Sequence, residues 1–108
     1  MKRGEVWWVE FDPSIGSEIA KTRPAVIVSN DSANRHLARV IVIPMTSNVS
    51  RIYPGETVVS IGGRQSKVVA DQIMTADKTR LKSQLGTLSK AEMMAVDDVI
   101  RVQLALPK

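Results

Sequence analysis

Arg23 stands immediately before Pro24 and the apolar run Ala25-Val26-Ile27-Val28-Ser29. Pro24 fixes its own φ and biases the residue before it to an extended conformation, so the Arg23 guanidinium leaves the chain in a defined direction. A planar fork of N–H donors at the mouth of a strand suits a phosphate or a carboxylate. The plainer reading is an arginine that solvates a strand end. A second junction of this kind is Pro44-Met45-Thr46-Ser47, where another apolar run ends in two hydroxyls. Those hydroxyls can donate to phosphate oxygens or cap a turn. Ser17-Glu18, between the first two apolar runs, offers either a carboxylate beside Arg23 or a solvated loop side chain.

These residue types matter because the chain has no thiol and almost no imidazole. Its 108 residues include no cysteine and a single histidine, His36. Thiol nucleophiles, thiolate zinc sites and disulfide frameworks are therefore excluded, and no metal site or other cofactor is expected. A pair of imidazoles for acid–base work is excluded as well. His36 lies well away in sequence from the other candidates and reads as a surface or capping residue. Fifteen Lys and Arg against eleven Asp and Glu give a net charge of +4. That sign suits a polyanion such as nucleic acid, and it equally suits a solvated basic surface, because no run of basic residues marks a tail. Trp7, Trp8, Phe11 and Tyr53 are the only aromatics, so base stacking must be sparse, with Phe11 and Tyr53 as loop-edge candidates. No stretch approaches the ~18 apolar residues of a membrane span. Met1-Lys2-Arg3-Gly4-Glu5 enters a structured pattern without an apolar leader, and the cytoplasm is the expected compartment.

Positioning such residues requires a scaffold, and a chain of this length supports one domain over residues 1–108 with one core. Gly4 to Phe11, Pro24 to Ser29, Arg39 to Met45, Glu56 to Ile61 and Lys67 to Ala70 are short runs bounded by turn residues, and read as strands. Gly62-Gly63 predicts a hairpin turn. Strands this close in sequence pair antiparallel, because a parallel crossover needs about a dozen residues or more. A twisted sheet of five or six strands has to cover its own face, which predicts a small half-open barrel. Trp7 and Trp8 must point to opposite faces of the first strand, one to the core and one to the surface or an interface.

The period changes near the end. Ser89 followed by Glu92 is a capping box, and Met93, Val96, Ile100 and Leu104 fall on one helical face behind it. Asp31 to His36 can form one further short helical turn. Two connections, Asp12 to Thr22 and Thr46 to Gly55, are long for so small a β domain, and loops of this kind are more often functional than decorative.

Together these pieces resemble a known family. Gly4-Glu5-Val6-Trp7, Gly16-Ser17-Glu18, Arg23-Pro24-Ala25-Val26-Ile27-Val28-Ser29-Asn30, Pro44-Met45-Thr46-Ser47 and Asp71-Gln72-Ile73 look like the MazF/PemK toxin endoribonucleases, in one order across essentially the whole chain. Leu88 to Leu106 is similar to that family's C-terminal helix. The resemblance implies a mainly β fold with α: an SH3-like antiparallel β-barrel plus a C-terminal helix, of the CcdB/PemK-like kind. It implies a homodimer that cuts single-stranded RNA at short sequences without metal, leaving a 2′,3′-cyclic phosphate and a 5′-hydroxyl. It further implies a cognate antitoxin that blocks the RNA groove and displaces the first long loop. The family's catalytic Arg and Thr match Arg23 and Thr46.

The residues present fit that chemistry. The substrate's own 2′-OH is the nucleophile, so the protein has only to stabilise charge on a phosphorane and move two protons. Arg23 can neutralise the non-bridging oxygens and the Thr46 hydroxyl can donate to one of them. Arg23 is too basic to act as a general base, which leaves Glu18 as the candidate. Ser17, Asn30, Ser47, Asn48 and Gln72 are polar residues at strand ends or loops that can read splayed bases. Arg64 and Lys67 can track backbone phosphates. Two other classes remain open on the same fold: a gyrase poison of the CcdB type, and an RNA-binding module without catalysis. The pairing of Arg23-Pro24 with Thr46-Ser47 favours the nuclease, since a gyrase poison has no use for phosphate-directed groups.

Overall fold

The continuous apolar stretches of the first three runs feed both faces of one sheet, since successive side chains of a strand point to opposite sides. A computed structural model describes residues 1–107. Its elements are β1 (Glu5–Glu10), β2 (Thr22–Ile27), α1 (Asp31–His36), β3 (Arg39–Thr46), β4 (Glu56–Ile61), β5 (Arg64–Val69), β6 (Met74–Asp77), β7 (Leu81–Thr87) and α2 (Lys90–Leu104). The strand order is β4-β5-β3-β2-β1-β7, with β6 on β3. Every pairing is antiparallel.

Val9, Ala25, Ile27, Val40 and Val42 pack on one face with Phe11, Ala76 and Leu81. Val6, Val26, Ile43, Met45 and Val68 pack on the other with Val96, Met93 and Ile100 of α2. Burial on both faces explains why β2 and β3 read as near-continuous apolar runs rather than strict alternation. Phe11 lies in the first of these clusters at 3% exposure, so it is core and cannot stack on a base. Trp7 packs on the same cluster, whereas Trp8 stays 36% exposed on the opposite face.

Five runs read as strands in the sequence, and seven strands are present. The additional β6 and β7 have the sequences MTAD and LKSQLGT, with no β-branched apolar run to announce them. β7 is an edge strand with only Leu81 buried, so its polar composition follows from its position. The Gly62-Gly63 turn joins β4 and β5 with Ile61 opposite Arg64, and both glycines have positive φ, as a two-residue hairpin demands. Between β4 and β7 the barrel is closed by side chains rather than by a ladder. A Cβ at Gly86 would lie 2.6 Å from Ile61 Cδ1, so the bare backbone of β7 is what lets Ile61 close the seam.

The capping box predicted for α2 is formed: Glu92 N donates to Ser89 Oγ at 3.1 Å, and Ser89 N donates to Glu92 Oε1 at 2.9 Å. Leu104 departs from the expected buried face and is 47% exposed, because the helix ends there and Ala105 turns into the left-handed region. Val99 packs on the core cluster.

Glu92 does more than cap. Its other oxygen accepts from Ser60 N of β4 at 2.8 Å, tying the helix start to the barrel edge. The Ser60 and Ser89 backbone donors hold the Glu92 carboxyl below the usual glutamate range. A lowered folded value means that this tie is complete above the ordinary glutamate pKa and is lost as the pH falls through the folded one. Glu92→Gln should therefore flatten the fall in urea midpoint between about pH 6 and pH 3, relative to the unsubstituted chain. An equally steep fall in both proteins would remove Glu92 as a source of the acid sensitivity.

Candidate active site

β2 and β3 pair through Ala25↔Pro44, Val26↔Ile43 and Ile27↔Val42. The ladder ends at Ala25↔Pro44, and continuing its register by two residues brings Arg23 opposite Thr46. Arg23 is also paired with Val9 of β1, and Thr46 with Lys67 of β5. Val9, Arg23, Thr46 and Lys67 thus form one row across four strands. Directly opposed residues share a face with Cβ atoms about 4.5–5.5 Å apart. The row lies on the face that carries Val9, Ala25 and Val42, at its open end. Pro24 and Pro44 sit inside these strands, where neither has an N–H to give.

Each member of the central pair is held with donors to spare. Arg23 Nε donates to the Ala20 carbonyl at 3.3 Å, fixing the guanidinium to the base of the β1–β2 loop. Among the described residues no carboxylate forms an ion pair with Arg23. Its terminal N–H groups are free to meet an anion. Thr46 Oγ1 accepts from Asn48 N at 3.3 Å, so the hydroxyl proton remains available to an acceptor in front of it.

Two depressions involve the sequence candidates, and Arg23 lines the first of them. One, of about 390 Å³, is lined by Trp8, Arg23, Ser47, Arg64 and Gln65 among others. It gathers Ser47 and Arg64 beside Arg23. The other, of about 360 Å³, is lined by Ser17, Glu18, Ile19, Asp71 and Gln72 among others. Gln72 Oε1 accepts from Ile19 N at 2.8 Å, so Gln72 pins the β1–β2 loop to the turn before β6. Glu18 is folded into its own loop and accepts from Ile15 N at 2.7 Å. Asn48 Oδ1 accepts from Ser50 N and Oγ, which leaves its amide N–H groups outward.

The remaining candidates are placed elsewhere or already engaged. Asn30 lies beyond the far end of β2 from Arg23 and caps α1 by accepting from Ala33 N at 2.8 Å. Seven residues of extended chain separate the two by about 20 Å. Lys67 is bonded to the Arg51 carbonyl at 3.1 Å and to Glu56 at 3.2 Å. His36 sits in the last turn of α1 with Nδ1 2.8 Å from the Ser32 carbonyl. Two further lining residues escape sequence reasoning. Asp71 stands in the Asp71-Gln72-Ile73 motif and is an exposed carboxylate on the wall of the second depression. Trp8 shows in the sequence only as half of an alternating pair. Among the described residues no three His, Cys, Asp or Glu side chains gather as a cation site.

The family model for the PemK-like, MazF-like toxin of type II toxin–antitoxin systems matches residues 2–104. This chain belongs to that toxin family. Among curated relatives, Endoribonuclease MazF9 of Mycobacterium tuberculosis is 39% identical, with 98% of each chain covered. Endoribonuclease MazF of Staphylococcus epidermidis is 34% identical over 98% of this chain and 92% of its own. A mycobacterial endoribonuclease solved in complex with its cognate antitoxin superposes with a TM-score of 0.84 at 28% identity, covering 100% and 98% of the two chains. MazF from Deinococcus radiodurans gives a TM-score of 0.86 at 25% identity over 97% and 96%. In this MazF-like toxin the curled β half-barrel and its C-terminal helix are the family's fold, as the sequence resemblance implied.

Proposed function

We propose that this chain is an endoribonuclease toxin that cleaves single-stranded RNA at short sequences by attack of the substrate's 2′-OH, neutralised by a cognate antitoxin. The whole chain is read as one toxin module acting in the cytoplasm. The family membership supports the RNA-cleaving role. The observation that carries the chemistry is the Arg23–Thr46 register on β2 and β3, which aims an unpaired guanidinium and a free hydroxyl proton from one face. A phosphate seated there meets two donors that the strands bring together and that Ala20 and Asn48 of the adjoining loops steady. As the 2′-oxygen attacks, charge builds on the non-bridging oxygens, and preorganised donors stabilise that charge without reorganisation.

The 2′,3′-cyclic phosphate forms as the P–O5′ bond breaks, and the departing 5′-oxygen takes a proton from water to leave as a hydroxyl. Glu18 is the proposed base for the 2′ proton; reaching it requires the β1–β2 loop to turn the carboxylate away from Ile15 N. Ser47 and Arg64, which line one depression with Arg23, Asn48, whose N–H reaches Thr46, and Ser17 and Gln72 of the second depression are proposed to hold the flanking nucleotides. The mechanism needs no metal. The chain is proposed to act as a homodimer.

The direct test incubates purified protein with mixed single-stranded RNA in excess EDTA and maps the ends. Short recurrent cleavage sites with cyclic phosphate termini are expected. Intact RNA, with a trapped DNA topoisomerase instead, would favour the gyrase-poison reading; binding without cleavage would favour an RNA-binding module. Sedimentation at micromolar concentration should give twice the mass of one chain. Thr46→Val keeps the shape of the side chain and removes the hydroxyl, and should lower kcat by about 10²-fold with the sedimentation unchanged. A monomeric variant would make Thr46 a structural residue.

A further inference from the structure

Lys67 reads from the sequence as a phosphate contact, yet its surroundings describe a different role. Its side chain is only 12% exposed, and that of its partner Glu56 13%. The Lys67 ammonium lies 3.2 Å from Glu56 Oε1, 3.1 Å from the Arg51 carbonyl and 5.8 Å from the centre of the Tyr53 ring. The same Glu56 oxygen accepts from Tyr53 N at 2.8 Å. Strand and loop are thereby knotted through one ion pair. Among the described residues, residues 47–52 are tied to the strands by two hydrogen bonds, from Asn48 N back to Thr46 at the end of β3 and from Lys67 of β5 to the Arg51 carbonyl. The loop it holds begins at Thr46, and Lys67 is the residue paired with Thr46 across β3 and β5.

We propose that Lys67, neutralised by Glu56, is a positioning residue that fixes the β3–β4 loop behind the Thr46 hydroxyl and does not contact RNA. This rests on the reading of Thr46 as a phosphate-directed donor. The Asn48 N–H that engages Thr46 Oγ1 belongs to that same loop, so freeing Arg51 and Tyr53 loosens the group that orients the hydroxyl. A largely covered ammonium already engaged by a carboxylate, a carbonyl and an aromatic face gives up those partners if it turns to a phosphate. A misplacement of about 1 Å near reacting atoms can cost on the order of 10²-fold in rate.

The test compares Lys67→Met, Glu56→Gln and the double variant, which leaves no orphaned charge. Four quantities are measured: kcat, KM, the salt dependence of RNA affinity, and amide exchange of residues 47–53. A positioning role predicts that both single variants lower kcat by at least about tenfold with KM little changed. The salt slope stays at the unsubstituted value, and exchange in the loop quickens while that of β2 and β3 does not. The double variant should resemble either single one.

A phosphate contact predicts opposite effects, and would overturn the proposal. Lys67→Met would then reduce the salt slope by about one, and Glu56→Gln, by releasing the ammonium, would tighten RNA binding. Unchanged kcat in both single variants would overturn it as well. Should the unsubstituted chain cleave no RNA, the functional reading fails, and amide exchange alone still decides whether Lys67 holds the loop.

Discussion

Arg23→Ala should lower kcat for RNA cleavage by roughly 10³-fold while leaving the barrel folded. The guanidinium makes one bond to the protein, from Nε to the Ala20 carbonyl, so little of the structure depends on it. Its terminal donors are free, and these are the groups that would meet the charge developing on phosphorus. Arg23→Lys is the sharper variant. It keeps the charge but loses the planar fork, and a point charge cannot serve two oxygens at once. Recovery of only a small part of the lost rate in Arg23→Lys, with far-ultraviolet dichroism unchanged, is the expected pattern. Full activity in Arg23→Ala would remove the Arg23–Thr46 pair from the mechanism.

The second large effect is on stability. Ile43→Ala should cost about 2–5 kcal/mol, against the roughly 5–15 kcal/mol of a typical domain. Ile43 is fully buried between Val26 on the neighbouring strand and the cluster that receives α2, and it lies three residues before Thr46. Ile43→Val, which removes one methyl group, should cost about 0.5–1.5 kcal/mol. Urea unfolding at a fixed protein concentration reads both; equal midpoints for Ile43→Ala and the unsubstituted chain would mean that the β3 core is not where the stability resides.

The parts of this protein governed by local chemistry are legible in its sequence. Ser89 and Glu92 announce the start of α2 because a capping box is a three-residue pattern, and Gly62-Gly63 announces a hairpin because both positions need positive φ. β7 stays hidden because an edge strand keeps polar residues such as Lys82, Ser83 and Gln84. Within the site, Arg23 and Thr46 are legible as strand-end residues, but their alignment depends on a register set by Ala25 and Pro44. Asn30 follows the Arg23 run in sequence and ends at the other side of the sheet, because an extended strand carries its two ends apart. The engagement of Lys67 is invisible in sequence for a different reason. It is decided by Glu56, across a hairpin, and by a backbone carbonyl, and neither carries a sequence signal.

The row from Val9 to Lys67 also bears on how such a protein diverges. Its alignment depends on strand register, and the chain between Arg23 and Thr46 passes through α1 at the opposite end of the sheet. The loops 11–21 and 47–55 leave from the row without contributing to that register. Outside the positions that steady the pair (Ala20, Asn48 and Arg51), residues can be inserted or exchanged in either loop without changing the strand register that aligns the guanidinium with the hydroxyl. A slip of one position in β2 or β3 would instead send one of them to the other face. Base preference can therefore drift through loop length and composition while the cleaving pair stays fixed: a tool with an interchangeable head on a constant blade.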